Sequence, residues 1–426
     1  MTVDTTGEAR PDDGAHAALP SRRVLAAWFG AFAVYAGVMI FTRHADGTWA
    51  AWGCAGYAVT ALLLLAPTGW AVPLATAIGG ALIGPLLWLI TTFPATGEVV
   101  VIGQSASYLL KHGTPYLPPA LVTSWTSYNP YLPLMEVFGL PRSAGLSGVL
   151  GDPRIWTTLT TVVLIAAAFS VVSPHGLRVC RDCRRRVAWC TAVAVASPLI
   201  AFPLAVGVTD PPIIALTCLV LAWAGRGKLV RAGLALGVAC AMKTTAWAVV
   251  PVLAVMAWAR YAPRAAARLT ATAVAVTGIL ALLAAPEALA TPVAVKQNLI
   301  DYPMGTTKYR TVAASPLPGH LIAGLGPAGR VSVDVLLVLA VLAFVGWLIA
   351  APPRDERDAA VRLAVGYAVM FTLDPSTRFG YFAYPLALVG WLALSRRAQG
   401  KEADAAERER PTRLRKLLPK RTVPVP

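Results

Sequence analysis

The chain has 426 residues, of which 57% are apolar and only 14% charged, with a mean hydropathy of +0.62. A soluble domain carries about 25% charge, so this composition excludes a string of soluble domains and makes lipid the main solvent. Lys and Arg outnumber Asp and Glu by 37 to 21, a net +16 that on a soluble protein would suggest nucleic acid.

Residues 1–21 are polar and read as a disordered cytoplasmic tail. Apolar runs then follow at 24–42, 49–66, 70–93, 155–173, 188–206, 211–224, 269–288, 332–350, 361–373 and 380–395. Each is long enough to cross a bilayer, or nearly so if partly surrounded by protein. The first has no A-x-A-like exit and more spans follow it, so it is expected to stay rather than be cleaved as a leader. The stretch 232–259 is also apolar, but Arg226, Lys228 and Arg231 precede it and Arg260, Arg264 and Arg268 follow it. One straight crossing would put one basic group on the wrong side, so it reads as a hairpin of two short helices turning at Lys243–Thr245. The fold expected is an all-α polytopic membrane protein. It comprises a transmembrane domain over 22–395, built as a bundle of about ten spans plus the hairpin, and a basic disordered tail over 396–426.

Side-by-side placement of charge sets the orientation. With the N-terminus in the cytoplasm, 27 of the 37 basic residues fall inside, nine fall outside and Lys243 sits in the hairpin. The positive charge is therefore a topology signal and an attraction to anionic headgroups, and it excludes nucleic acid as the partner. A multi-pass protein of the plasma membrane with both termini cytoplasmic follows. Two long segments, 94–154 and 289–331, face outward and are the places for binding and catalysis.

Six cysteines, at 54, 180, 183, 190, 218 and 240, lie in spans or on the inner side, so no structural disulfide is implied. Cys180 and Cys183 have CxxC spacing but no second pair and no nearby histidine pair to close a zinc site. No phosphate-binding glycine loop, HExxH or GxSxG pattern stands in a suitable context. No metal and no cofactor is expected.

The first external segment carries the chemistry-bearing pattern. Val99 to Lys111 suits an amphipathic helix at the membrane interface, stopped by Gly113-Thr-Pro115. Glu98 falls at that helix's N-terminus, where the dipole favours the anion a base must be. The same position also suits a simple N-terminal charge. Asp152, in Gly151-Asp-Pro-Arg154, and Asp210, in Asp210-Pro-Pro, each read either as a helix cap or as a substrate contact. Lys243 lies about 18 Å from the cytoplasmic face at 1.5 Å per residue, too deep for an idle charge. A compact ammonium there suits a lipid phosphate. Arg378, at the outer end of the last span, and Arg310 in the second external segment are further cations, with Lys296 and Lys308 as weaker ones. Tyr108, Tyr116, Tyr128 and Tyr131 stand between base and cations. A carboxylate to take an acceptor's proton and cations to meet a leaving phosphate suit sugar transfer from a lipid phosphate.

These motifs resemble a known family. An acidic residue after N-terminal helix, an interfacial helix, Leu109-Leu-x-x-Gly113-x-Pro115-Tyr116 and Tyr128-Asn129-Pro130-Tyr131-x-Pro133 are similar to the polyprenol-phosphate-mannose-dependent mannosyltransferases of actinobacteria, within the GT-C superfamily of membrane glycosyltransferases. Asp210, the Ala222-Trp-Ala-Gly-Arg-Gly-Lys228 run, Lys243 before Pro251, and Arg378…Tyr381…Tyr384-Pro385 are similar as well, so the resemblance spans about 94–395. It implies a polyprenyl-phosphate sugar donor, a lipid or glycan acceptor, and inverting transfer of a hexose, most often mannose, on the outer face. It gives the base role to Glu98 and the lipid-phosphate role to Lys243. Position and motif together make Lys243, Arg378, Arg310, Tyr116, Tyr128, Asn129, Asp152 and Asp210 the expected substrate contacts. That family more often has Asp at the Glu98 position, and its loop follows the first span rather than the third, so Asp46 competes for the base role. A lipid flippase or transporter is the alternative. It predicts polar residues strung through several spans, and here Lys243 stands nearly alone.

Overall fold

The computed structural model describes residues 21–399 apart from 43, 94 and 174–180. The tails as far as residue 20 and from residue 400, together with Arg43, His175 and Cys180, lie outside the described residues. Within them the protein is all-α, with no strand, and forms a polytopic membrane bundle.

The N-terminal layer is α1 (Arg22–Met39), α2 (His44–Leu65) and a third span in which α3 (Ala71–Ile78) passes through a π turn, Gly79–Ile83, into α4 (Gly84–Thr92). Ser21 starts α1 by accepting a hydrogen bond from the Val24 amide. The connection between α1 and α2 is shorter than the sequence suggests. Asp46, expected in a loop, sits half-buried in the first turn of α2. Buried polar tips tie this layer inward: Trp49 donates to the Ala81 carbonyl at 2.7 Å and Tyr57 to the Ala196 carbonyl at 2.6 Å.

The helix expected from 99 to 111 is α5 (Gly97–His112), and Gly113 stops it in the left-handed conformation. It buries Val99, Val101, Ile102 and Ala106 on one face. The rest of the segment 94–154 is a chain of short turns ending at α6 (Pro153–Val172).

The span expected at 188–206 is two helices, α7 (Arg181–Ala196) and α8 (Pro198–Val206), bent by 59°. Pro198 disfavours helical geometry at Ser197, so the ladder breaks there and restarts with proline at its first position. Next comes α9 (Asp210–Gly225), which is apolar on all sides and buried along nearly its whole length. A helix of that kind is solvated by protein rather than lipid, which is why 16 residues suffice at the centre of the bundle.

The proposed turn at Lys243–Thr245 separates α10 (Leu229–Met242) from a 3-10 turn, Thr244–Ala248, and α11 (Val249–Arg260). α12 (Pro263–Ala284) then runs parallel to α10. A Cβ on Gly233 would lie 2.8 Å from the Leu269 carbonyl oxygen, and one on Gly237 2.6 Å from the Val276 Cβ. Only glycines let the two backbones come this close, the small-residue packing common inside membranes. The bundle ends with α13 (Pro327–Ala350), α14 (Glu356–Leu373) and α15 (Ala383–Gln399), which extends four residues past the expected end of the membrane domain. Among the described residues, five helices are long and apolar enough to cross a bilayer alone, or six counting the bent pair; 210–225, 229–242 and 244–260 are shorter apolar helices.

Candidate functional site

Four charged side chains meet where α5, α9 and α15 begin and α10 ends. Glu98 comes from the first turn of α5, Asp210 from the first turn of α9, and Lys243 from the residue capping α10. Arg378 comes from the extended residue before the 3-10 turn Phe379–Phe382 that leads into α15. The basic segments around Arg226 and Arg260 lie at the opposite end of the bundle, where Arg226 donates to the Val172 carbonyl and Arg260 pairs with Glu356.

Local geometry forces the approach of α5 to α9. Gly207 ends α8 at φ +95°, and a Cβ there would sit 2.4 Å from a Val99 methyl and 3.1 Å from the Thr96 hydroxyl. The chain can therefore turn against the start of α5 only with glycine at this position. Two residues later Thr209 faces Glu98. Its amide and hydroxyl both donate to Glu98 Oε2, at 3.0 and 2.9 Å, while Arg378 donates to Oε1 at 3.0 Å. Glu98 does not act as a side-chain cap of its own helix; it reaches across to a different one.

Lys243 Nζ pairs with Asp210 Oδ1 at 2.5 Å and donates to the Thr209 hydroxyl at 3.2 Å. Tyr384 on α15 donates to the same Asp210 oxygen at 2.7 Å. The Lys243 ammonium also lies 5.3 Å from the centre of the Tyr131 ring. Thr209 thus links the two ion pairs, and the four charges sum to zero. Burial works against the charge of Arg378, but Glu98 and then the tyrosines 381, 131 and 302 outweigh it and hold the guanidinium above its ordinary range. Burial raises the Tyr131 phenol well above its usual value, with Glu98 adding to the effect, so the ring serves as a neutral wall.

Behind this cluster, three of the expected contacts build the wall rather than face the ion pairs. Asn129 is fully buried: its Nδ2 donates to Glu136 Oε1 at 2.7 Å, its Oδ1 accepts from the Tyr131 amide, and its own amide donates to Asn298 Oδ1 at 2.6 Å. Tyr116 donates to the Tyr131 carbonyl at 3.0 Å, and Tyr128 stacks on Tyr302 with ring centres 4.6 Å apart. Through Asn298 and Tyr302 the segment 289–331 grips the segment 94–154. Glu136 is completely enclosed; burial pushes its carboxyl well above the usual range, the Asn129 amide only partly opposing this, which favours the protonated form.

Asp152 takes the cap reading. It accepts from the Arg154 amide at the start of α6 and binds the Arg154 guanidinium at 2.8 Å, both side chains buried. Arg310 is exposed and makes no hydrogen bond or ion pair with the cluster. Sequence reading passed over Thr209, Glu136 and Asn298. Glu136 had a readable signal, a lone carboxylate inside the apolar run Leu134–Phe138, since such groups are rarely buried without a reason. Among the described residues no group of three or more His, Cys, Asp or Glu side chains is placed to hold a metal ion.

In comparisons with known proteins, the sequence model of glycosyltransferase family 87 matches residues 131–375. That range contains Asp210 and Lys243 and stops short of both Glu98 and Arg378. No curated protein and no solved structure matches the chain. The match covers more than half of the chain, an all-helical membrane bundle with linked charges at one end, and the chain belongs to glycosyltransferase family 87.

Proposed function

We propose that this membrane glycosyltransferase takes a hexose, mannose in the first instance, from a polyprenyl monophosphate and transfers it with inversion to a hydroxyl of a lipid or glycan acceptor. The observation that carries the reading is the joining of Glu98, Arg378, Thr209, Lys243 and Asp210 through direct hydrogen bonds at one end of the bundle. The positive-inside distribution of basic segments supports reading that end as the outer one. The family favours transfer over the transporter reading, since its members are glycosyltransferases.

In the reaction, the acceptor oxygen attacks the anomeric carbon from the side opposite the phosphate. The bond between that carbon and the phosphate oxygen breaks, and its electron pair leaves with the polyprenyl phosphate. Glu98 takes the acceptor's proton, which requires the hydroxyl within hydrogen-bond reach of its carboxylate. Arg378 and Lys243 face the phosphate as its charge grows, where fixed cations lower the barrier most. Asp210 and Tyr384 hold Lys243 in place, and Tyr131 closes the wall beside it. The interfacial position of α5 would keep Glu98 at the depth of a lipid headgroup.

Membranes containing wild type or Glu98→Gln, incubated with radiolabelled polyprenyl-phosphate-mannose, provide the test. Wild type should form a new labelled glycolipid or glycan, and Glu98→Gln should lose at least about a hundredfold of that rate, the usual contribution of a general base. Undiminished transfer by the variant would remove Glu98 from the base role.

A further inference from the structure

The base assigned to this site is already engaged. Glu98 is held at both oxygens, by Arg378 at 3.0 Å on one and by the Thr209 amide and hydroxyl on the other, and its side chain is only 15% exposed. An acceptor hydroxyl entering this arrangement would have to compete with a guanidinium for the same carboxylate oxygen. Arg378 in turn has a carboxylate where a phosphate would bind. The second cation is also occupied, because Lys243 is paired with Asp210 at 2.5 Å. Two carboxylates and two cations leave the site with no net charge to attract an anionic lipid.

The two ion pairs differ in how easily they exchange. Lys243 and Asp210 are 11% and 3% exposed, and Tyr384 also binds the same carboxylate oxygen. Arg378 is 32% exposed and meets Glu98 through a single nitrogen, which leaves most of its guanidinium donors for another anion. A phosphate offers several oxygens to that planar fork, and such contacts outweigh one carboxylate contact. Thr209 would still hold Glu98 Oε2 after Arg378 turned away, so the carboxylate would stay in place with Oε1 free.

Resting on the proposed function, we infer that the donor's phosphate displaces Glu98 from Arg378 and thereby frees the base. The site then accepts a proton only when the leaving group is in position. Donor and acceptor assist each other because the phosphate removes the contact that blocks the acceptor's oxygen. The resting pair also disfavours proton abstraction from an acceptor that arrives without a donor.

A binding measurement that involves no transfer tests the exchange. Purified full-length protein in nanodiscs is titrated with polyprenyl monophosphate, the sugar-free leaving group, for wild type, Glu98→Gln, Arg378→Ala and the double variant, each checked for its melting temperature. Glu98→Gln keeps the Thr209 contact but removes the competitor for Arg378, so it should bind the lipid phosphate more tightly, on the order of fivefold, the upper range for one partly exposed ion pair. Arg378→Ala should bind more weakly, and Glu98→Gln should bring no gain in the Arg378→Ala background, the coupling a double-mutant cycle isolates. If Arg378→Ala does not fold, Arg378→Gln takes its place. Unchanged affinity in Glu98→Gln would overturn the exchange, and so would an equal gain with Arg378 absent, which would show only a long-range charge effect. The transfer assay reads the base role separately. Tighter binding with transfer intact would leave the exchange standing and remove the base, whereas lost transfer without tighter binding would do the reverse.

Discussion

Replacing the two members of the Lys243–Asp210 pair, singly and together, separates what the pair does for folding from what it does for transfer. In Lys243→Met the Asp210 carboxylate, 3% exposed, loses its cation and keeps only the Tyr384 hydroxyl as a side-chain donor. Removing one partner of such a buried pair costs about 3–5 kcal/mol, because the remaining charge is left uncompensated. Asp210→Asn should cost less, about 1–3 kcal/mol. Lys243 is 11% exposed and retains the Thr209 hydroxyl and the Tyr131 ring, and asparagine can still accept from Tyr384. The double variant Lys243→Met/Asp210→Asn buries no charge, and its stability should return to within about 1.5 kcal/mol of wild type, since a buried pair contributes little over apolar replacement. Denaturant unfolding in a fixed detergent measures the stabilities, and labelled-sugar transfer in membranes measures function. The double variant should fold and transfer nothing. A double variant as unstable as Lys243→Met would show that the pair is a structural support, and one that still transfers sugar would remove Lys243 from phosphate binding.

Two further predictions concern the frame around the cluster. Folded Glu136 holds its proton above the ordinary value of 4.5, whereas the unfolded chain releases it there, so folding takes up a proton and stability falls as pH rises through and beyond that value. Melting temperatures from about pH 5 to about pH 8 should therefore decline in wild type, and the slope should flatten in Glu136→Gln; a wild-type profile matching the variant's would contradict the upward shift of the Glu136 carboxyl. Gly237→Val places a side chain 2.6 Å from the Val276 Cβ and 2.7 Å from the Ala273 carbonyl oxygen, forcing α10 away from α12 at a cost of about 1–3 kcal/mol. Because Lys243 caps the same helix, transfer should fall further than the loss of folded protein explains; equal losses would mean that the strain stays local.

Much of this was legible from the sequence because the signals were local. Hydropathy located the helices, and Gly113 with Pro115 stopped α5 where the pattern placed its end. Basic residues at both ends of 232–259 revealed the break at Lys243, which no hydropathy window would show. What sequence could not give was pairing. Nothing local distinguishes Asp152, which serves its own helix and the arginine two residues on, from Asp210, whose partner lies 33 residues away on another helix. Both are acidic residues before proline at a helix start, and only the fold separates them. Arg310 had the right charge but is exposed and lies outside the cluster. Tyr116 and Asn129 belong to a motif that reads as a binding surface, yet their polar atoms are spent on backbone and on buried Glu136. The bend at Ser197 was there to read in Ser-Pro, and an uninterrupted apolar run concealed it.

The family match and the cluster divide the site at an informative place. Asp210 and Lys243 fall within residues 131–375, and Glu98 and Arg378 fall outside on either side. One hydroxyl joins the halves. Thr209 accepts from Lys243 Nζ at 3.2 Å, so its single proton points to Glu98 Oε2 at 2.9 Å, and the chain of donors runs from Lys243 to Glu98 in one direction. Glu98 therefore feels the position of Lys243 through a neutral group that cannot itself hold charge at physiological pH. Any movement of Lys243 toward a phosphate weakens the acceptance that orients Thr209, while movement of Glu98 toward an acceptor removes the bond that Thr209 donates. The half of the site within the family match and the half outside it are thus one electrostatic unit, and a variant in either ion pair should be read against the state of the other.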